Sequence, residues 1–103
     1  MDMAFAKVAS IGELPPDGMM EVTVAGRPYA LCQVDGEVQA LEGTCPHRGG
    51  PLGHGALHGN MVVCPWHAWE FDCRTGENDR DPAIKVPKVA VKIEGDDILI
   101  DVP

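Results

Sequence analysis

The segment TCPHRGGPLGHGALHGNMVVCPWHAWEFD, residues 44–72, contains all four histidines of the chain and two of its four cysteines. Its ligand-type residues form two short clusters, Cys45-Pro46-His47 and Cys64-Pro65-Trp66-His67. A Cys and a His at such short spacing can lie on the same side of one tight loop. The intervening residues include Gly49, Gly50, Gly53, Gly55 and Gly59, which allow close turns. The pattern therefore predicts one metal centre shared by two loops.

Two kinds of metal centre fit two cysteines and two histidines. Zinc accepts this ligand set, and so does a [2Fe–2S] cluster with both cysteines on one iron and both histidines on the other. Disulfides are the alternative use of four cysteines, but they belong to secreted chains. The start of the chain, MDMAFAKVAS, lacks the basic and apolar regions of a signal peptide. Metal ligation is therefore the favoured role for cysteine here.

The composition predicts one small domain, residues 1–103, with enough apolar residues (45%) to form a core. The net charge of -8 excludes nucleic acid and anionic membranes as partners, because no basic patch offsets phosphate repulsion. No apolar run approaches the roughly 18 residues of a membrane span. We therefore expect a cytoplasmic protein with protein partners.

Short apolar runs broken by glycine and proline predict an all-β sandwich or small barrel. The turn-like stretches VDGE (34–37) and EGDDI (94–98) predict tight hairpins, and LPPDG (14–18) predicts a turn with positive φ at Gly18. Helical structure is expected only as a single turn near 11–14. The candidate strands cover 5–9, 20–24, 28–34, 37–42, 61–64, 70–72, 90–94 and 97–101.

The spacing C-x-H-x16-C-x2-H, with Gly-Gly after the first pair and Pro after the second Cys, resembles the Rieske iron–sulfur motif. TCPHRGGPL (44–52) and VVCPWHAWEFDCRTGE (62–77) look like the two cluster-binding loops of Rieske ferredoxins, and the Asp81-Pro82 and Val86-Pro87 pairs follow at the family's spacing. The resemblance covers essentially the whole chain. It implies a Rieske-type antiparallel β fold with a cluster-binding subdomain of two loops at about 43–80.

The resemblance also assigns ligand roles. Cys45 and Cys64 would bind one iron as thiolates, and His47 and His67 would bind the other near the surface. Two ferric ions, two sulfides and two thiolates sum to zero charge, whereas a site with four thiolates is already negative. The neutral centre is therefore expected to be reduced more easily, at a higher potential, than a site with four thiolates. Its potential is expected to fall with rising pH once the free imidazole nitrogens titrate.

Four further positions indicate whether the centre has a high or a low reduction potential. High-potential members of the family carry a disulfide at the positions of Gly50 and Trp66, and hydroxyl donors at those of Trp69 and Phe71. Without those hydroxyl groups the more negative, reduced cluster is stabilised less. We therefore predict a low-potential centre, at about -150 mV.

The remaining histidines and cysteines do not match the motif. His54 and His58 are expected to be polar loop residues rather than ligands. Cys32, in the alternating run YALCQV, is expected to be a core thiol, and a disulfide with Cys73 is not expected in the cytoplasm. Trp66 fits shielding of the cluster, docking or packing equally, and Trp69 fits packing best.

Three functions compete. The chain has neither a G-x-G-x-x-G motif nor a second domain for oxygen chemistry, so the resemblance implies a soluble, monomeric one-electron carrier and not an enzyme. Its partners would be a flavin-dependent reductase and a terminal Rieske oxygenase. The chain is also similar to the small, Rieske-like subunit of assimilatory nitrite reductase. A zinc-stabilised interaction module is the alternative from a different class.

Overall fold

The computed structural model describes residues 5–46, 49–66 and 68–101. These residues form ten β-strands and two 3-10 helices, Ile11–Glu13 and Leu52–His54, without any α-helix in the described part. None of the described helices is long and apolar enough to cross a bilayer. The strands are β1 (Phe5–Ser10), β2 (Met19–Val24), β3 (Arg27–Val34), β4 (Glu37–Glu42), β5 (Ala56–His58), β6 (Met61–Val63), β7 (Glu70–Asp72), β8 (Lys88–Val89), β9 (Val91–Glu94) and β10 (Asp97–Asp101).

The strands form three antiparallel sheets, which confirms the predicted all-β class. One sheet has the order β2-β3-β4-β8, a second has β1-β10-β9, and a third has β5-β6-β7. The third sheet is built from the segment between and after the two cysteine–histidine clusters. It therefore forms the frame that carries the predicted ligand loops.

Strand β3 is buried on both faces and joins two hydrophobic cores. Because side chains alternate along a strand, Tyr29 and Leu31 pack into one core with Ile98 and Ile100 from β10. Ala30 and Cys32, on the opposite face of the strand, pack into the other core, which includes Val62 and Phe71 of the third sheet. This second core also contains both predicted ligand cysteines. The frame around the metal centre thus rests directly on the central strand of the larger sheet.

The predicted strands all form, with ends shifted by at most one residue. Two strands, β5 and β8, were not predicted. Strand β5 (ALH) contains no β-branched residue, and β8 is only two residues long, so neither produces an alternating apolar pattern. Both form because neighbouring strands, β6 and β4, supply the hydrogen-bonding partners.

The hairpin predicted at VDGE is confirmed, since Asp35 and Gly36 both adopt positive φ, at 53° and 80°. The turn at LPPDG forms differently from the prediction. Positive φ falls on Asp17 (51°) and not on Gly18. Glycine is needed at 18 for space, because a Cβ there would lie 2.6 Å from the Cβ of Pro15.

The 3-10 helix Leu52–His54 docks the first ligand loop onto β2. A Cβ at Gly53 would lie 2.6 Å from the Cβ and 2.9 Å from the Cα of Glu21, so the two backbones are in close contact. The adjacent His54 places its Nε2 2.8 Å from the Oε1 of Glu21. The close approach requires glycine at 53.

We predict that Gly53→Ala lowers the free energy of unfolding by about 1–3 kcal/mol, because the added methyl group forces the helix away from β2. Urea denaturation followed by circular dichroism measures the change. Gly12→Ala is the matched control, since Gly12 also lies in a 3-10 helix but has no atom within 4 Å of a new Cβ. Equal stability of the two variants would contradict the packing role assigned to Gly53.

Candidate metal centre

The first ligand loop runs from the end of β4 to the 3-10 helix at Leu52 and is closed by its own backbone. The Cys45 N–H donates to the Gly50 carbonyl (2.8 Å), and the Gly49 N–H donates to the Cys45 carbonyl (2.8 Å). Gly49 adopts a φ of 75°, which favours glycine. The loop therefore holds Cys45 at a defined place, with its side chain buried.

The second ligand loop connects β6 to β7. The Cys64 N–H donates to the Trp69 carbonyl at 2.7 Å, which closes the loop at its base. The Trp66 N–H donates to the Cys64 Sγ at 3.4 Å. Cys64 is buried like Cys45. A backbone donor aimed at this sulfur favours its thiolate form, which is the form that binds metal.

The two loops bring the thiols of Cys45 and Cys64 into contact without a disulfide. Burial raises the pKa of the Cys64 thiol, the Trp66 N–H acts in the opposite direction, and the neighbouring Cys45 thiol raises the pKa further. In the metal-free chain this thiol is therefore held neutral. A bound cation reverses the preference, since a metal-bound thiol loses its proton.

His47 and His67, the other two predicted ligands, lie outside the described residues. The described neighbours on either side of them are exposed: Pro46, Gly49, Trp66 and Ala68. The two cysteines, by contrast, belong to the hydrophobic core. The assignment of the two histidines as ligands stays a prediction.

Residues 4–93 match the model of the Rieske [2Fe-2S] domain family. The chain belongs to this family. The match includes both cysteine–histidine clusters, and it sets aside the zinc alternative in favour of one [2Fe–2S] cluster.

Two curated relatives match this chain over most of their own length. The ferredoxin component of biphenyl 2,3-dioxygenase from Rhodococcus jostii (strain RHA1) is 37% identical over 100 residues, which cover 96% of this chain and 94% of that protein. The ferredoxin component of a naphthalene 1,2-dioxygenase system from Pseudomonas aeruginosa is 36% identical over 90 residues, 86% of each chain. These relatives are electron carriers and not catalysts, and this Rieske protein is an electron carrier as well.

Solved structures share the fold across the whole chain. The ferredoxin of carbazole 1,9a-dioxygenase from Nocardioides aromaticivorans IC177 superposes with a TM-score of 0.88 at 25% identity, covering 97% of this chain and 99% of that one. The ferredoxin of Sphingomonas yanoikuyae B1 gives a TM-score of 0.87 at 26% identity and covers 97% and 100%.

The donor set fits the cluster that the family carries. Cys45 and Cys64 supply two adjacent thiols, each from a separate backbone-closed loop, and no disulfide removes them. Such a pair matches the two sulfur ligands that one iron of a Rieske centre requires, and Cys45 and Cys64 stay the predicted ligands.

The positions that distinguish high-potential relatives are brought together in this structure. A Cβ at Gly50 would lie 3.2 Å from the Cβ of Trp66, near the separation of two bridged cysteines. Phe71 is fully buried and offers no hydroxyl group, and the half-buried Trp69 packs against the same core, as predicted. Trp66 is 49% exposed, which rules out simple core packing for that side chain.

Cys32 and Cys73 form a second thiol pair below the loops. Both are fully buried and free, as expected for core thiols. The hydrogen bond that Cys32 donates to Cys73, together with burial, raises the pKa of Cys32 well above its ordinary value. Cys32 therefore stays protonated. Neither residue belongs to a ligand loop.

Asn78 is a structural residue that the sequence analysis missed. Its Nδ2 donates to the Glu70 carbonyl (3.1 Å), and its Oδ1 accepts from the N–H groups of Arg80 and Asp81 (3.0 Å each). It is the buried polar residue that ties the acidic segment 79–81 to β7. The run N-D-R-D is a signal for such an Asx turn.

We predict that Asn78→Ala lowers the free energy of unfolding by about 2 kcal/mol, because three part-buried hydrogen bonds are lost. Denaturant titration of the loaded protein measures the change. Asn60→Ala is the control, since Asn60 makes one side-chain hydrogen bond, to Asp72, at a half-buried position. A smaller loss for Asn78→Ala than for Asn60→Ala would refute the role.

We also predict that Cys45→Ala and Cys64→Ala each abolish the cluster, whereas Cys32→Ala and Cys73→Ala retain about two irons per chain. All four side chains are buried, so the two pairs are matched for loss of packing. Iron analysis of the purified variants measures the difference. Full iron content in Cys64→Ala would contradict the ligand assignment.

Proposed function

We propose that this Rieske protein passes single electrons from a flavin-dependent reductase to a terminal Rieske oxygenase. The observation that carries the proposal is the near full-length correspondence, at 37% identity, with a dioxygenase ferredoxin component. A second support is a chain of the same fold (TM-score 0.87, 24% identity) from the complex of reduced oxygenase and oxidized ferredoxin in carbazole 1,9a-dioxygenase. No observation on the described residues favours the nitrite reductase subunit.

In the proposed site, Cys45 and Cys64 hold one iron and His47 and His67 hold the other. When bound, the cluster stores and releases one electron. The chain's contribution is to bury the two sulfurs in the core while leaving the neighbours of both histidines exposed. A docked protein can then approach the histidine side of the centre closely, while the β framework stays rigid.

The exposed acids that follow the second loop support a basic partner surface. Asp79 and Asp81 are exposed and sit on the segment anchored by Asn78. The net charge of -8 has the same sign. Charges of this kind mainly raise the association rate with an oppositely charged surface.

We further propose that residues 1–103 act as one domain, with the cluster-binding subdomain at about 43–80, and that the protein is a cytoplasmic monomer. The third sheet, β5-β6-β7, falls within that subdomain and supports its bounds. A single small carrier suits transient contact with two partners in turn.

The primary test is an EPR spectrum of dithionite-reduced, anaerobically purified protein, with iron and zinc assayed on the same sample. We expect a rhombic signal with average g near about 1.9 and about two irons per chain. One zinc per chain without a signal would overturn the proposal. His67→Ala should lose the signal while His54→Ala, the control at a non-motif histidine, should keep it.

We predict a midpoint potential of about -150 mV, because Phe71 of the core that contains both cysteines and Trp69, packed against that core, stand where hydroxyl donors would raise the potential. Voltammetry of the loaded protein measures the value. A potential above about +100 mV would contradict the argument from the missing hydroxyl groups.

We predict that Asp79→Asn/Asp81→Asn slows electron transfer to a dioxygenase terminal component several-fold at low ionic strength and little at high ionic strength, because steering is screened by salt. Asparagine keeps the acceptor for the Ala83 N–H at position 81. Stopped-flow oxidation of the reduced protein measures the rate. Glu37→Gln/Asp96→Asn has the same change in net charge in two distant hairpins and should behave like the unaltered protein; equal rates for both double variants would refute steering.

A further inference from the structure

Besides the contact of the two thiols, the described parts of the ligand loops meet closely at Gly50 of the first loop and Trp66 of the second. A methyl group at Gly50 would lie 3.1 Å from the Cγ and 3.2 Å from the Cβ of Trp66, and 2.7 Å from the Cys64 Sγ. Gly50 is buried. The base of the Trp66 side chain therefore rests on the backbone of the opposite loop, next to the Cys64 sulfur.

The backbone hydrogen bonds of the described loop residues do not join the two loops. In the described parts of the loops, the backbone hydrogen bonds stay within each loop: Cys45 and Gly49 bond inside the first, and Cys64 bonds to Trp69 inside the second. The described cysteines form no disulfide. Among the described residues, packing between Gly50 and Trp66 is therefore a contact, besides the two thiols, that can hold the loops together.

The backbone of Trp66 also contacts the Cys64 sulfur. Its N–H donates to the Cys64 Sγ at 3.4 Å, so the residue cannot move away without losing this bond. About half of the Trp66 surface is covered although the residue lies at the exposed tip of the loop. A half-covered aromatic side chain contributes substantial apolar burial. The backbone hydrogen bond therefore fixes Trp66 beside the Cys64 sulfur within the second loop, and its side chain, packed on Gly50, favours the closed arrangement of the two loops.

We propose that Trp66 is a noncovalent clasp which, by packing on Gly50, keeps the two ligand loops closed over the Cys64 sulfur and slows loss of the cluster. The inference rests on Cys64 being a ligand, as proposed above. Cluster loss requires the loops to open far enough for water or a chelator to reach the sulfur-bound iron, and such local opening is governed by the contacts that close the loops. Trp66 is a positioning residue in this scheme, and it acts through Cys64.

The test compares Trp66→Ala, Trp66→Phe and Ile93→Ala as anaerobically purified, oxidised proteins. An excess of an iron chelator is added, and decay of the visible absorption of the cluster gives the rate of loss. Ile93, on β9, is the control because it is another exposed large apolar residue (43%, against 49% for Trp66) outside the ligand loops. The phenylalanine variant retains an aromatic ring and should rescue the clasp.

We expect cluster loss to be about tenfold faster or more in Trp66→Ala, and within about threefold of the unaltered protein in the other two variants, a tenfold change corresponding to about 1.4 kcal/mol. Equal rates in Trp66→Ala and Ile93→Ala would overturn the clasp. Equal rates would mean either that Trp66 does not slow cluster loss or, if both variants lose the cluster faster, that the effect is general destabilisation.

The midpoint potential supplies a readout that a purely structural role would not change. Opening of the loops admits water to the Cys64 sulfur, and solvent stabilises the more negative reduced cluster. The potential of loaded Trp66→Ala should therefore shift upward, while that of Trp66→Phe should not. An unchanged potential in Trp66→Ala would overturn the closure over Cys64. Absence of iron from the unaltered protein would be a different result, because it would overturn the site assignment itself and the clasp with it.

Discussion

Two thiols from separate loops must lie side by side, buried and not oxidised to a disulfide, and the rest of the structure serves that constraint. Cys45 and Cys64 meet it because each loop is closed by its own backbone and both loops are carried by sheets that share one core. That core contains Cys32 of β3, the strand whose other face packs against β10. The position of the metal centre therefore depends on the central strand of a sheet to which neither ligand cysteine belongs.

Burial of the thiols has an electrostatic consequence for cluster binding. Burial raises the pKa of the Cys64 thiol, so before a metal binds this group adds no uncompensated charge to the core. Ligation by the two proposed thiolates would replace their protons by iron and would give a Rieske centre that is neutral when oxidised. A neutral centre is compatible with an apolar surrounding such as Phe71 and Val62, whereas a more negative cluster would be disfavoured there.

Predictions from sequence were most accurate where a local signal is strong. The alternating runs of β3 and β4 and the Asp35-Gly36 turn form as predicted because side-chain period and positive φ are properties of a few adjacent residues. Strand β5 was missed because it contains no β-branched residue, and β8 because it is two residues long and pairs with the distant β4. The turn at Asp17 was misplaced by one residue because Gly18 is selected by contact with Pro15 and not by its dihedral angle.

The sequence by itself determined the chemistry of this Rieske protein: the four candidate ligands, their spacing and the family all follow from the order of residues between 44 and 72. Tertiary structure alone decided which groups surround that chemistry. The contact of Trp66 with Gly50, the hydrogen bond from Asn78 to the Glu70 carbonyl and the fit of Gly53 against Glu21 join residues that are 8 to 32 positions apart. Such contacts arise from the packing of whole sheets, and packing leaves no periodic signature in the chain.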